Sequence, residues 1–86
     1  MNDITNKVAY ITGGSKGIGF GIAKILLNNG MRVAISSRSL EVAKKAAAVL
    51  SDDPTKILAI ASDVSSMADE MNAVKKTTAH FGQFDV

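Results

Sequence analysis

Thr12-Gly13-Gly14-Ser15-Lys16-Gly17-Ile18-Gly19 is a glycine-rich stretch set between two apolar patterns of different period. Before it, Val8-Ala9-Tyr10-Ile11 is short, apolar and partly β-branched, as a buried parallel strand is. After it, Ile18, Ile22, Ala23 and Leu26 recur at helical spacing. A strand, a glycine turn and a helix in that order make a cradle for a nucleotide phosphate. In such a cradle Gly13 turns the chain tightly out of the strand. Gly17 brings backbone up to a pyrophosphate with no side chain between, and Gly19 seats the helix close against the strand. The helix start contributes unpaired N–H groups and the positive end of its dipole. Ser15 adds a hydroxyl donor, Lys16 adds a cation, and Ile18 between the last two glycines belongs to the same cofactor-binding stretch.

Spacing separates related glycine loops. A P-loop needs Lys and then Ser or Thr directly after its second glycine, whereas Phe20-Gly21 follow Gly19. A strict G-x-G-x-x-G also fails, because Ile22 stands where the last glycine or alanine belongs. The spacing that fits is T-G-x-x-x-G-x-G. With it the chain resembles the short-chain dehydrogenase/reductase family, whose fold is a doubly wound nucleotide-binding sheet. Two later features agree in order: a basic residue just past the second strand in Ser36-Ser37-Arg38, and Asp63-Val64 at the end of the third.

The bulk composition bounds the alternatives. A chain of 86 residues allows one small domain of marginal stability, and residues 1–86 read as one incomplete NADP-binding Rossmann domain. Its 47% hydrophobic content with only 5% aromatic residues suits an aliphatic α/β core and argues against disorder. The absence of cysteine removes disulfides, thiolate metal sites and a thiol nucleophile. The polar start Met1-Asn2-Asp3-Ile4-Thr5-Asn6-Lys7 lacks the apolar core of a signal peptide, so the cytoplasm is the default expectation. No apolar run approaches the ~18 residues of a membrane span. The formal charge of +2 comes from scattered lysines, which gives little support to nucleic-acid binding.

Beyond the first helix, Asn28-Asn29-Gly30 is a stop signal and Met31–Ser36 a second strand. Ser39 caps a second helix whose first turn carries Glu41, with Leu40, Ala43, Ala47 and Leu50 on its buried face. Ser51-Asp52-Asp53-Pro54 ends it, and Lys56–Ala61 forms a third strand. Ser66 and Asp69 make a capping-box variant for a third helix, whose apolar side is read as Met67, Met71, Val74 and Phe81, with Gly82 closing it. The order β-α-β-α-β-α with right-handed crossovers gives half of a doubly wound parallel sheet, strand order 3-2-1. Phe84-Asp85-Val86 reads as the start of a fourth strand beside the first, so the chain is expected to be a piece of a longer protein. Without that strand the first would carry an unpaired apolar edge, open to self-association.

The end of the second strand is where an acid receives the ribose hydroxyls of NAD. Ser37 stands there uncharged, and Arg38 offers a permanently charged fork to a 2′-phosphate, which favours NADP. The family resemblance adds that a basic residue before the second glycine marks NADP, and Lys16 holds that place. It also implies that Asp63 accepts from the adenine amine, with Val64 packing beside it. His80, Met67 and Met71 read as structural. Family members transfer hydride with a Tyr-x-x-x-Lys pair, a serine and an asparagine. Tyr10 is the only tyrosine, and Gly14 stands four residues on, so no catalytic residue is assigned here. The expected function is the cofactor-binding part of an NADP(H)-dependent short-chain oxidoreductase that interconverts a carbonyl and an alcohol in full length. The alternative is a non-catalytic NADP(H)-sensing module. A methyltransferase using S-adenosylmethionine fits less well, since its ribose wants an acid where Ser37-Arg38 stand.

Overall fold

The computed structural model describes residues 5–13 and 17–85. Ser15 and Lys16, assigned above to the phosphate cradle, lie outside the described residues, as does Val86. The elements alternate as the patterns predict: β1 (Val8–Ile11), α1 (Gly17–Asn28), β2 (Arg32–Ser37), α2 (Leu40–Leu50), β3 (Ile57–Ala61) and α3 (Met67–Phe81). The strands form one parallel sheet in the order β1-β2-β3, the adjacency that reads 3-2-1 from the other edge. Val33 sits between Ala9 and Ile57 in the register.

Successive side chains of a strand point to opposite faces, and here both faces are covered. Ala9, Val33, Ile35 and Ile57 pack with Ala23 of α1 and Ala46 and Ala47 of α2. Val8, Ala34 and Ile60 pack on the other side with Ala73 and Phe81 of α3. Helices on both faces explain why the strands read as continuous apolar runs rather than alternating ones.

The predicted caps are present. Ser39 and Ser66 each take extended backbone and accept an N–H from the first turn of α2 and α3, at Val42 and Asp69. Gly82 closes α3 in the left-handed conformation, its N–H donating to the Thr78 carbonyl. The capping box is incomplete, however: the Asp69 carboxylate accepts from the Asp63 N–H at 3.1 Å.

The helix faces depart in part from the sequence reading, which places Ala23, Ala43, Ala47 and Phe81 correctly in the core. Met67 is 79% and Met71 57% exposed, and the buried side of α3 is Ala73, Thr77 and Phe81. Leu40 is exposed as well, and α2 buries Ala43, Ala46 and Ala47. On α1, Ile18 and Ile22 are exposed and Ala23 is the buried residue. On α1 and α2 the buried positions are alanines, with Phe20, Leu26, Leu27 and Leu50 packed at the margin of the core, whereas α3 buries Thr77 and Phe81 beside Ala73. The outer edge of β1 is engaged at Val8, by the segment read as the start of a fourth strand. Asp85 reaches it, its N–H donating to the Val8 carbonyl at 3.1 Å while its carboxylate accepts the Val8 N–H at 2.9 Å. No helix among the described residues is long and apolar enough to cross a membrane.

Candidate functional site

In a parallel sheet all strands end at the same side, so the loops after β1, β2 and β3 converge there. They carry the residues singled out from sequence. Gly13 follows β1, Gly17, Ile18 and Gly19 open α1, Ser37 ends β2 with Arg38 next, and Asp63-Val64 follow β3 by two residues. Gly13 and Gly17 have φ of +67° and +65°, a region open to glycine at little cost. A Cβ at either position would meet no atom within 4 Å, so backbone conformation, not crowding, requires glycine there.

The β2 and β3 loops are brought together. Arg38 Nη2 lies 3.9 Å from Asp63 Oδ1, and the Arg38 side chain is 80% exposed. Arg38, Ala61, Ser62, Asp63 and Asp69 line a cleft of about 430 Å³. A groove of about 490 Å³ runs along β3 between α2 and α3, lined by Leu58, Ile60, Lys44, Lys76 and His80 among others, and holds none of the glycine-loop residues. The cleft at the strand ends is the chemically meaningful one, because it gathers the polar residues of two loops. Ile18 points to solvent at 84% exposure and Val64 is also exposed.

Asp63 is held from three directions. Its carboxylate accepts from the Ser65 N–H at 2.9 Å and the Ser65 hydroxyl at 2.7 Å, while its own N–H is bound by Asp69. The Ser65 bonds, and secondarily the Arg38 charge, keep the Asp63 carboxyl below its ordinary value. It is therefore a fixed acceptor at neutral pH. The ion pair with Arg38 is exposed and weak, so a stronger anion can displace it from Arg38.

His80 and Tyr10 take structural positions. His80 shares a 2.8 Å hydrogen bond between Nε2 and the Pro54 carbonyl and stacks edge-on against Phe81. Tyr10 lies in β1 with its hydroxyl 2.9 Å from Ser36 Oγ and 3.2 Å from Glu70. Sequence reasoning did not find Ser36, Ser62 or Glu70. The available signal was spacing: Glu70, Ala73, Thr77 and Phe81 form a helical stripe, but two of its four members are polar.

The short chain dehydrogenase family model matches residues 7–86. The chain is 40% identical over 84 residues to the peroxisomal 2,4-dienoyl-CoA reductase of Danio rerio, covering 96% of this chain and 28% of that protein. It is 52% identical over 81 residues to the (S)-acetoin-forming diacetyl reductase of Staphylococcus aureus, covering 94% of this chain and 31% of that one. The crystal structure of the 3-ketoacyl-(acyl-carrier-protein) reductase from Brucella melitensis complexed with NADH superposes with a TM-score of 0.85 at 36% identity. That match covers 95% of this chain and 33% of the other. This chain therefore belongs to the short-chain dehydrogenase family, an oxidoreductase family with the Rossmann-type fold described above. It spans about a third of the length of the relatives it matches.

Proposed function

We propose that this chain is the NADP(H)-binding part of a short-chain oxidoreductase that interconverts a carbonyl and an alcohol. The observation that carries the NADP preference is Arg38, 80% exposed at the mouth of the cleft where β2 ends, with Ser37 and no acid at the last residue of the strand. A 2′-phosphate satisfies that guanidinium with charge-assisted, paired hydrogen bonds, whereas a bare ribose leaves it unused. Gly13, Gly17 and Gly19 with Ser15 and Lys16 take the pyrophosphate at the start of α1. Asp63, an ionised acceptor at neutral pH, takes the adenine amine, with Val64 beside it. The residues present fit the group: two glycines in the left-handed region with open space above them, an exposed guanidinium only weakly paired with Asp63, and an oriented carboxylate.

When bound, a nicotinamide ring supplies or accepts hydride. What this chain does is hold the adenosine and pyrophosphate end. Tyr10, the single tyrosine, is engaged with Ser36 and Glu70 on the α3 side of the sheet, which supports placing the proton-transfer groups outside this chain. The NADH in the Brucella melitensis relative supports a nicotinamide dinucleotide for the family site, and Arg38 is the basis for preferring its phosphorylated form here.

Titrating the chain with NADPH and NADH at matched low salt, alongside Arg38→Ala, tests the reading. The expected result is saturable binding with NADPH favoured about tenfold, equivalent to about 1.4 kcal/mol, and equal affinities in the variant. A folded chain that binds both cofactors equally before the substitution overturns the NADP assignment; one that binds neither overturns the cofactor site.

A further inference from the structure

Behind the cleft, on the α3 face of the sheet, four polar side chains meet among apolar neighbours. Tyr10 Oη lies 2.9 Å from Ser36 Oγ and 3.2 Å from both carboxylate oxygens of Glu70, and the Ser62 hydroxyl donates to Glu70 Oε1 at 2.8 Å. Ser36 is fully buried and Ser62 nearly so, with Tyr10 and Glu70 half-buried. The Glu70 carboxylate accepts from Tyr10 and Ser62, and the Tyr10 and Ser36 hydroxyls share a further hydrogen bond. Burial raises the Tyr10 phenol above its ordinary value, so it remains a donor at neutral pH. Among the described residues no buried side-chain oxygen or nitrogen lacks a partner.

The placement of these four residues is more informative than their satisfaction. Tyr10 is in the strand that leads to Thr12-Gly13, Ser36 directly precedes Ser37-Arg38, and Ser62 directly precedes Asp63-Val64. Glu70 stands in α3 next to Asp69, whose carboxylate holds the Asp63 N–H. One carboxylate thus ties the ends of β1 and β3 to α3, and through Tyr10 the end of β2. Apolar side chains in these places would pack but set no direction, whereas hydrogen bonds fix distance and angle, and leaving one unmade in this burial is costly.

We propose that Tyr10, Ser36, Ser62 and Glu70 form a positioning set that holds the Ser37-Arg38 and Asp63-Val64 loops at a fixed separation for the adenosine end of the cofactor. This rests on the dinucleotide reading above. None of the four touches the ligand; they act through Arg38 and Asp63.

The test uses two probes on the whole chain, adenosine 2′,5′-bisphosphate for the β2–β3 cleft and inorganic pyrophosphate for the glycine loop. Calorimetric titration is run on the unsubstituted chain, Tyr10→Phe, Glu70→Ala and Glu70→Gln, with thermal unfolding of each. Tyr10→Phe and Glu70→Ala are expected to weaken the bisphosphate about fivefold to tenfold, the size of one displaced hydrogen bond, while pyrophosphate binding stays within about twofold. Glu70→Gln, which keeps an acceptor, recovers part of the loss. Should Glu70→Ala not fold, Tyr10→Phe, which removes a single oxygen, decides. A folded Tyr10→Phe that binds the bisphosphate as the unsubstituted chain does, or loses both probes equally, overturns the positioning role. Failure of the folded, unsubstituted chain to bind the bisphosphate overturns the dinucleotide reading, and the positioning role with it.

Discussion

Gly17 and Arg38 show how differently single residues serve one site. Gly17 is a backbone residue: its φ of +65° leaves a Cβ in open space, so Gly17→Ala introduces no clash and only the left-handed penalty. That penalty is about 1–2 kcal/mol, and for a domain of this size each kcal/mol lowers Tm by about 4–8 °C, which thermal unfolding followed by circular dichroism will read. A Tm unchanged in Gly17→Ala would mean that the loop relaxes to negative φ. Arg38 is a side-chain residue, exposed and weakly paired, so Arg38→Ala is expected to leave Tm within about 0.5 kcal/mol of the parent's stability while removing the NADPH preference. The two substitutions therefore separate stability from recognition within one candidate site. Gly17 and Arg38 stand out in the sequence for this reason: glycine at a turn and arginine after a strand are chosen by geometry and charge, which residue type reports directly. The buried hydroxyls of Ser36 and Ser62 were not, because a serine at a strand end looks the same whether it meets water or a buried carboxylate.

At the scale of elements, order and boundaries followed from periodicity and caps, but the helix faces followed only in part. On α3 the apolar reading chose Met67, Met71, Val74 and Phe81, while the sheet takes Phe81 together with Glu70, Ala73 and Thr77. Thr77 hides its polarity by donating to the Ala73 carbonyl at 2.8 Å, and Glu70 is offset by the hydroxyls it receives. A hydrophobicity count scores both as outward. The two assignments share Phe81 and predict opposite outcomes at Met67. Phe81→Ala is expected to cost about 3–5 kcal/mol and Met67→Lys no more than about 0.5 kcal/mol, measured by urea unfolding of this chain. A Met67→Lys cost as large as that of Phe81→Ala would restore the methionine face to the core. The β1 edge supplies a second element-scale expectation, in acid. The Val8 N–H, then Gln83, with Lys7 and Arg32 further off, hold the Asp85 carboxyl below its ordinary value of 3.8. A depressed carboxyl stabilises the fold fully above its unfolded value and loses that contribution as pH falls through the folded one. Asp53 and Asp63 are depressed in the same sense, each chiefly through hydrogen bonds from a neighbouring Thr or Ser. Tm should hold steady down to roughly pH 4 and fall below it, and Asp85→Asn should make that acid fall shallower. An identical acid profile in the variant would show that the Asp85 contact at Val8 is absent in solution.

Across the whole molecule, the site is attached to every strand and so cannot loosen alone. Gly13 follows β1, Arg38 follows β2 and Asp63 follows β3, and the Tyr10–Glu70 network joins all three strand ends. The Cα radius of gyration of 11.7 Å is that of a compact domain of this length, about 12 Å by the usual scaling. Ligand binding should consequently appear as global stabilisation rather than as local ordering of one loop. At free NADPH about 100-fold above its Kd, linkage adds about 2.7 kcal/mol to the folded state. At the same concentration a cofactor bound tenfold more weakly adds about 1.4 kcal/mol, so NADH should raise Tm by about half as much. The measurement is a pair of scanning-calorimetry traces at matched ligand concentration, repeated on Arg38→Ala. In the variant the two shifts should converge on the smaller one, because what separates the cofactors is a single phosphate and Arg38 is the cleft's guanidinium positioned to meet it. Convergence on the larger shift instead would place the phosphate contact elsewhere and leave Arg38 as a surface residue paired with Asp63.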